Sequence, residues 1–279
     1  MNNPSSASAQ QTEADQPQTI DPLTVAAIAI VSYLIASVIH EGLGHGLTAA
    51  VLGARDLRLS TAALHLAGDS VSPRASRAIS IAGPLVGLLV GFLLALYHGT
   101  TRSRNAEFRY CLWLTAYVCL FANSGYLMAL SFAHFGDIHG FVKDLGSPFA
   151  WRLGLTVFGT AVSVLTLFLA GRTLDEFLGT NCRRKRAARL LVISYFAGSC
   201  PLILSTLLGR EGSYLTLVSA IPATLGGTIL LLYTVLMVGR ARSSTAPVPL
   251  TPRRSLPWCG AGVFALLLYG LVLGPGVPR

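Results

Sequence analysis

The chain has 279 residues, 52% of them hydrophobic and only 12% charged, with a mean hydropathy of +0.60. That balance excludes an ordinary soluble domain and points to a polytopic membrane protein. The net charge of +9 does not call for a nucleic-acid partner, because the bases sit in short loops between apolar runs, where they set topology.

Residues 1–22 are rich in Asn, Ser, Gln and Pro and contain no Lys or Arg, so the positive n-region of a secretory signal is missing. They read as a disordered, mildly acidic tail. Apolar runs long enough to cross a hydrocarbon core of about 30 Å fall at about residues 23–52, 78–97, 110–132, 153–171, 190–208 and 215–239, and a seventh, 258–273, is shorter. The expected fold class is an all-α polytopic membrane protein of about six to seven transmembrane helices, integral and multi-pass in the cell membrane. Residues 23–140 form one membrane core, and 141–279 add further helices with basic loops. Cys111, Cys119, Cys182, Cys200 and Cys259 are odd in number and contain no CxxC pair, which suits small buried apolar residues better than a disulfide or metal framework.

The first run carries His40-Glu41-Gly42-Leu43-Gly44-His45 near its far end. Two imidazoles and a carboxylate are costly in hydrocarbon, and ionisable groups there are functional candidates by default. Two neutral imidazoles and one further ligand can hold Zn²⁺ with a position open for water, and an adjacent carboxylate can serve as general base. Glu41 follows the first histidine as in the His-Glu-x-x-His motif of zinc peptidases.

The histidine spacing is i, i+5, one more than that motif, and leaves the rings about 140° apart on a regular α-helix of 3.6 residues per turn. A π-bulge absorbs one extra residue, and Gly42 and Gly44 lower the resistance to it. The alternative is a polar helix contact in which Gly42, Gly44 and Gly46 merely permit close packing.

Between the first two runs, Arg55 to Leu66 begins with a partial polar and apolar alternation, and Gly68-Asp69-Ser70 follows, which reads as a short strand or membrane-associated β-hairpin. His65 within it reads as structural or rim-exposed, with a substrate-side role as the alternative. In the second run, Pro84 is placed near a helix start, where it costs little. Gly83, Gly87 and Gly91 repeat every four residues as a face for helix packing.

The third run contains Asn123, Gly125 and Tyr126 and ends in His134-Phe135-Gly136-Asp137-Ile138-His139-Gly140. If spans alternate in direction, the first and third run the same way, so His40, His45 and Asp137 fall at similar depth. Asp137 is the expected third ligand, with His139 and His134 as substitutes; the bland alternative for Asp137 is a loop carboxylate that ends a helix. Downstream, Asn181-Cys182-Arg183-Arg184-Lys185-Arg186 reads as a cytoplasmic loop facing anionic lipid. Pro201, Pro222 and Gly226-Gly227 are positions for helix kinks.

The ordered set of His40-Glu41 and His45, a strand-like stretch, Ala82-Gly83-Pro84 and Gly136-Asp137 resembles the site-2 protease family of intramembrane zinc metallopeptidases. The resemblance covers about residues 30–140. It implies zinc as cofactor, His40, His45 and Asp137 as metal ligands, Glu41 as general base, and Asn123 as a catalytic residue near the substrate. It also implies a membrane protein or peptide substrate, received as an added strand. Two departures stand out: the extra residue between the histidines, and Gly-Asp-Ile where Leu-Asp-Gly is usual.

Lys and Arg lie mainly in the loops after the second, fourth and sixth runs, which makes those loops cytoplasmic and places the histidine end on the exterior side. The resemblance implies a site open to the cytosol. Two functions therefore compete: a zinc-dependent intramembrane or membrane-interface endopeptidase, and a non-catalytic scaffold that binds a partner helix, which the extra motif residue favours. An ion pathway fits less well, because the polar residues cluster in one place.

Overall fold

The computed structural model describes residues 20–54, 57–59, 64–66, 71–179, 182–208, 221–239, 249–273 and 277–278. Residues 1–19, most of the expected tail, lie outside that description.

Helix α1 (Pro22–Val51) starts where Asp21 accepts a hydrogen bond from Thr24 N at 2.8 Å and Pro22 takes a first-turn position that needs no N–H. From Ile39 to Gly46 it is π-helical, and it then returns to α-helix over Leu47–Val51. Helix α2 (Pro73–Thr100) begins at a Ser72 cap, whose Oγ accepts from Ala75 N at 3.2 Å. The start lies upstream of the expected one, so Pro84 sits inside the helix. Having no N–H, it cannot close the turn on Ser80 O.

Helix α3 (Ala106–Leu130) is the axis of the bundle: Tyr110, Trp113, Leu114, Phe121 and Leu127 are all fully buried. A helix apolar on every side belongs inside other helices, and α3 packs against α1, α2 and α5. A short helix α4 (Gly136–Val142) follows the break after α3. Then come α5 (Pro148–Leu174), prolonged by a 3-10 turn to Phe177, and α6 (Arg183–Leu208). Phe149, Val157, Phe158, Leu165 and Phe168 on α5 are exposed, as a lipid-facing surface would be.

Among the described residues, five helices are long and apolar enough to cross a membrane: α1, α2, α3, α5 with its 3-10 turn, and α6. This fits an all-α integral membrane protein in contact with a bilayer. The expected sixth and seventh spans appear as shorter apolar helices, α7 (Pro222–Met237) and α8 (Leu256–Leu271). Residues 209–220, which include the start of the expected sixth span, are outside the described residues.

Strands β1 (Leu57–Leu59) and β2 (Leu64–Leu66) pair antiparallel with Arg58 opposite His65, and β3 (Val277–Pro278) pairs antiparallel with β1. Residues 60–63 between the strands, and the expected turn signal Gly68-Asp69-Ser70, lie outside the described residues.

The start of α1, the end of α2, the start of α3 and the end of α5 share one end of the bundle. There Asp21 meets Arg254 at 3.6 Å and Glu107 Oε1 accepts from Arg253 N at 2.9 Å. The π-helical stretch, the start of α2, the end of α3 and α4 share the other.

Candidate metal centre

The π-helical stretch resolves the spacing of the histidines. Its bonding pattern is i to i+5, as in Leu47 N to Gly42 O, so residues five apart stack on one face. His40 and His45 consequently bring their Nε2 atoms within 3.2 Å of each other, with ring planes at 81°. The glycines contribute unequally. A Cβ on Gly44 would lie 2.5 Å from Gly83 Cα, whereas one on Gly42 would meet only Val38 Cγ1 at 3.6 Å. Gly44 is therefore needed for the approach of α1 to α2, and Gly42 has room.

Asp137, in the first turn of α4, completes a triangle: its Oδ2 is 3.4 Å from His40 Nε2 and 3.4 Å from His45 Nε2.

The far side of each imidazole is fixed. Asn123 Nδ2 donates to Cys119 O at 2.7 Å, which turns Oδ1 towards His40 Nδ1, also at 2.7 Å. Facing an acceptor, His40 Nδ1 carries the proton, and Nε2 presents a lone pair. His45 Nδ1 lies 2.7 Å from Ile79 O, so the same holds there. These are the outer partners that set the tautomer of metal-binding histidines.

Three lone-pair atoms thus face one another. Without a cation they repel, and their separations match the edge of about 3.3 Å in a tetrahedron with bonds near 2.0–2.1 Å. Glu41 Oε1 is 4.0 Å from His40 Nε2, while Glu41 Oε2 is buried with no hydrogen-bond partner among the described residues. His40, Glu41 and His45 each offer one ligand atom within 4.8 Å of the others. An orphaned buried carboxylate oxygen beside two imidazoles and an aspartate is a donor set that fits zinc and a bound water.

Three expectations about residues change. Asn123, expected as a catalytic residue near the substrate, is 2% exposed and uses both ends of its amide to orient His40. His139 and His134 do not replace Asp137: His139 Nδ1 faces Arg152 Nη2 at 3.2 Å, and the two rings contact each other. The glycine face of α2 is more than packing. A Cβ on Gly83 would strike the Nε2 atoms of both His45 and His40, one on Gly87 would strike the α3 amide of Asn123 that orients His40, and one on Gly91 would meet the α3 backbone and the apolar side chains of Cys119 and Leu120, the packing contact expected. The four-residue glycine repeat was the available signal, but it reads the same whether an imidazole or a helix lies above it.

Fold and site together define a multi-pass membrane protein with a candidate metal centre near one end of its bundle. Comparison of the chain with protein-family models, with curated proteins and with solved structures finds no match.

Proposed function

We propose that the protein is a zinc-dependent endopeptidase acting within or at the edge of the membrane, similar in chemistry to the site-2 proteases. The observation that carries this reading is the triangle of His40 Nε2, His45 Nε2 and Asp137 Oδ2, with sides of 3.2, 3.4 and 3.4 Å. His40, His45 and Asp137 would hold the ion. Zinc supplies Lewis acidity when bound, polarising a peptide carbonyl and lowering the pKa of water.

The remaining work falls to the chain. Glu41, whose Oε2 lacks a partner among the described residues, takes a proton from the attacking water as its oxygen bonds to the carbonyl carbon. When the C–N bond breaks, Glu41 returns that proton to the departing nitrogen. Asn123 and the Ile79 carbonyl would hold the Nδ1–H tautomer of each imidazole and keep Nε2 aimed inward. The short strands beside the π-helical stretch are the surface against which an extended substrate would lie. The basic loops gather at the opposite end, which supports a centre nearer the non-cytoplasmic face.

The scaffold alternative drew on the extra motif residue, and the π-helical stretch absorbs that residue. The test is Glu41→Gln in full-length protein reconstituted with a library of transmembrane peptides. Cleavage falls by about 100-fold or more while zinc content is unchanged. Undiminished cleavage in that variant overturns the mechanism.

A further inference from the structure

The helix that carries Asp137 is seven residues long, and its N-cap residue, Phe135, supplies no side-chain hydrogen bond. Such a short element does not hold a ligand in place by its own stability. A group from elsewhere meets it: the Tyr126 hydroxyl oxygen accepts the Asp137 backbone N–H at 3.0 Å. The contact is built for closeness, because Gly136 adopts φ +75° and a Cβ there would collide with the Tyr126 hydroxyl. Positive φ and that approach both require glycine at residue 136.

Tyr126 lies three residues after Asn123 on α3, on the same face of the helix. One helix thus reaches the first ligand through an amide and the third through a phenol. From these contacts we propose that Tyr126 is a positioning residue of the metal centre, acting through Asp137. Its oxygen caps the first turn of α4 and fixes the carboxylate over the two imidazoles. The inference rests on the metal-site reading given above and assigns to Tyr126 the outer-partner role that Asn123 has for His40. Arg152 supports the same segment from outside. It is 7% exposed and donates from Nη1 to Ala133 O at 2.6 Å and also to Ser131 O, and from Nη2 to His139 Nδ1 at 3.2 Å.

The test compares wild-type protein, Tyr126→Phe and Gly136→Ala, each full length in detergent. Zinc affinity is measured by competition with a chromogenic chelator, and the absorption spectrum is recorded with cobalt in place of zinc. Tyr126→Phe keeps the ring and loses only the oxygen. Zinc affinity is expected to fall about 10-fold or more, with an altered cobalt spectrum, while the melting temperature without metal stays at the wild-type value. Gly136→Ala, which pushes the phenol away, gives the same loss and serves if Tyr126→Phe does not fold. Unchanged affinity and spectrum in both variants overturn the role of Tyr126 and leave the metal centre standing. A wild-type protein that binds neither metal overturns the metal-site reading and this inference with it.

Discussion

At the end of the bundle away from the candidate centre, His98 Nε2 lies 2.7 Å from Glu176 Oε1, and Arg109 donates to the same carboxylate at 2.6 and 3.3 Å. At the other end, two imidazoles lie 3.4 Å from one oxygen of Asp137, with no guanidinium or ammonium beside that carboxylate in the described contacts. The first distances are those of charge-assisted hydrogen bonds. The second are long for hydrogen bonds and right for the edges of a coordination shell. In the first cluster every charge finds an opposite inside the protein, and α2, α3 and α5 are tied together by it. In the second, three potential ligand atoms converge with no guanidinium or ammonium among the described contacts, the arrangement that the metal-site proposal rests on. A histidine beside a carboxylate therefore says little about function; what the far nitrogen touches, and whether a cation is already present, says much more.

That comparison can be broken in graded steps. His45→Ala removes one corner of the triangle and should abolish metal binding, read as metal content of the purified chain. His98→Ala should leave the metal in place and lower stability by about 1–3 kcal/mol, because Glu176 loses a hydrogen-bond partner; chemical denaturation of the two variants, with metal analysis, separates the ends. Two glycines of α2 sharpen the contrast. Gly83→Ala places a methyl group against both imidazoles and should weaken zinc binding by more than about 10-fold. Gly99→Ala has nothing within 4 Å of the added carbon and should be neutral or stabilising by roughly 0.5–1 kcal/mol, with metal retained. The smallest expected effect on the centre is that of Asn123→Leu, which leaves all three ligands present but releases the His40 tautomer. A loss of affinity of about 10-fold is expected, checked by chelator competition.

Much of the centre was legible because its pieces are costly. His40, Glu41 and His45 have no ordinary reason to occupy an apolar run, and an i, i+5 pair can chelate only if the helix gains one residue in its turn, which the π-helical stretch over Ile39–Gly46 does. Asp137 could be placed because alternating spans fix depth. What was not legible depends on contacts between segments distant in sequence. Asn123 reads the same whether it touches a substrate or an imidazole 83 positions away. The start of α2 was missed because its first turns, Pro73 to Arg77, are polar and carry no apolar run. Five of the expected spans are matched by long apolar helices, and α7 and α8 cover the described parts of the other two. Tyr126 gave no sign, since a lone tyrosine in an apolar helix is ordinary.

The central claim is that His40, His45 and Asp137 bind one metal ion. X-ray absorption at the zinc edge, on full-length protein purified without added metal and quantified for metal content, tests it most directly. The account predicts about one zinc per chain with only nitrogen and oxygen neighbours at about 2.0–2.1 Å, lost in His45→Ala. A folded wild-type chain that carries no zinc and takes up none when it is supplied would contradict it.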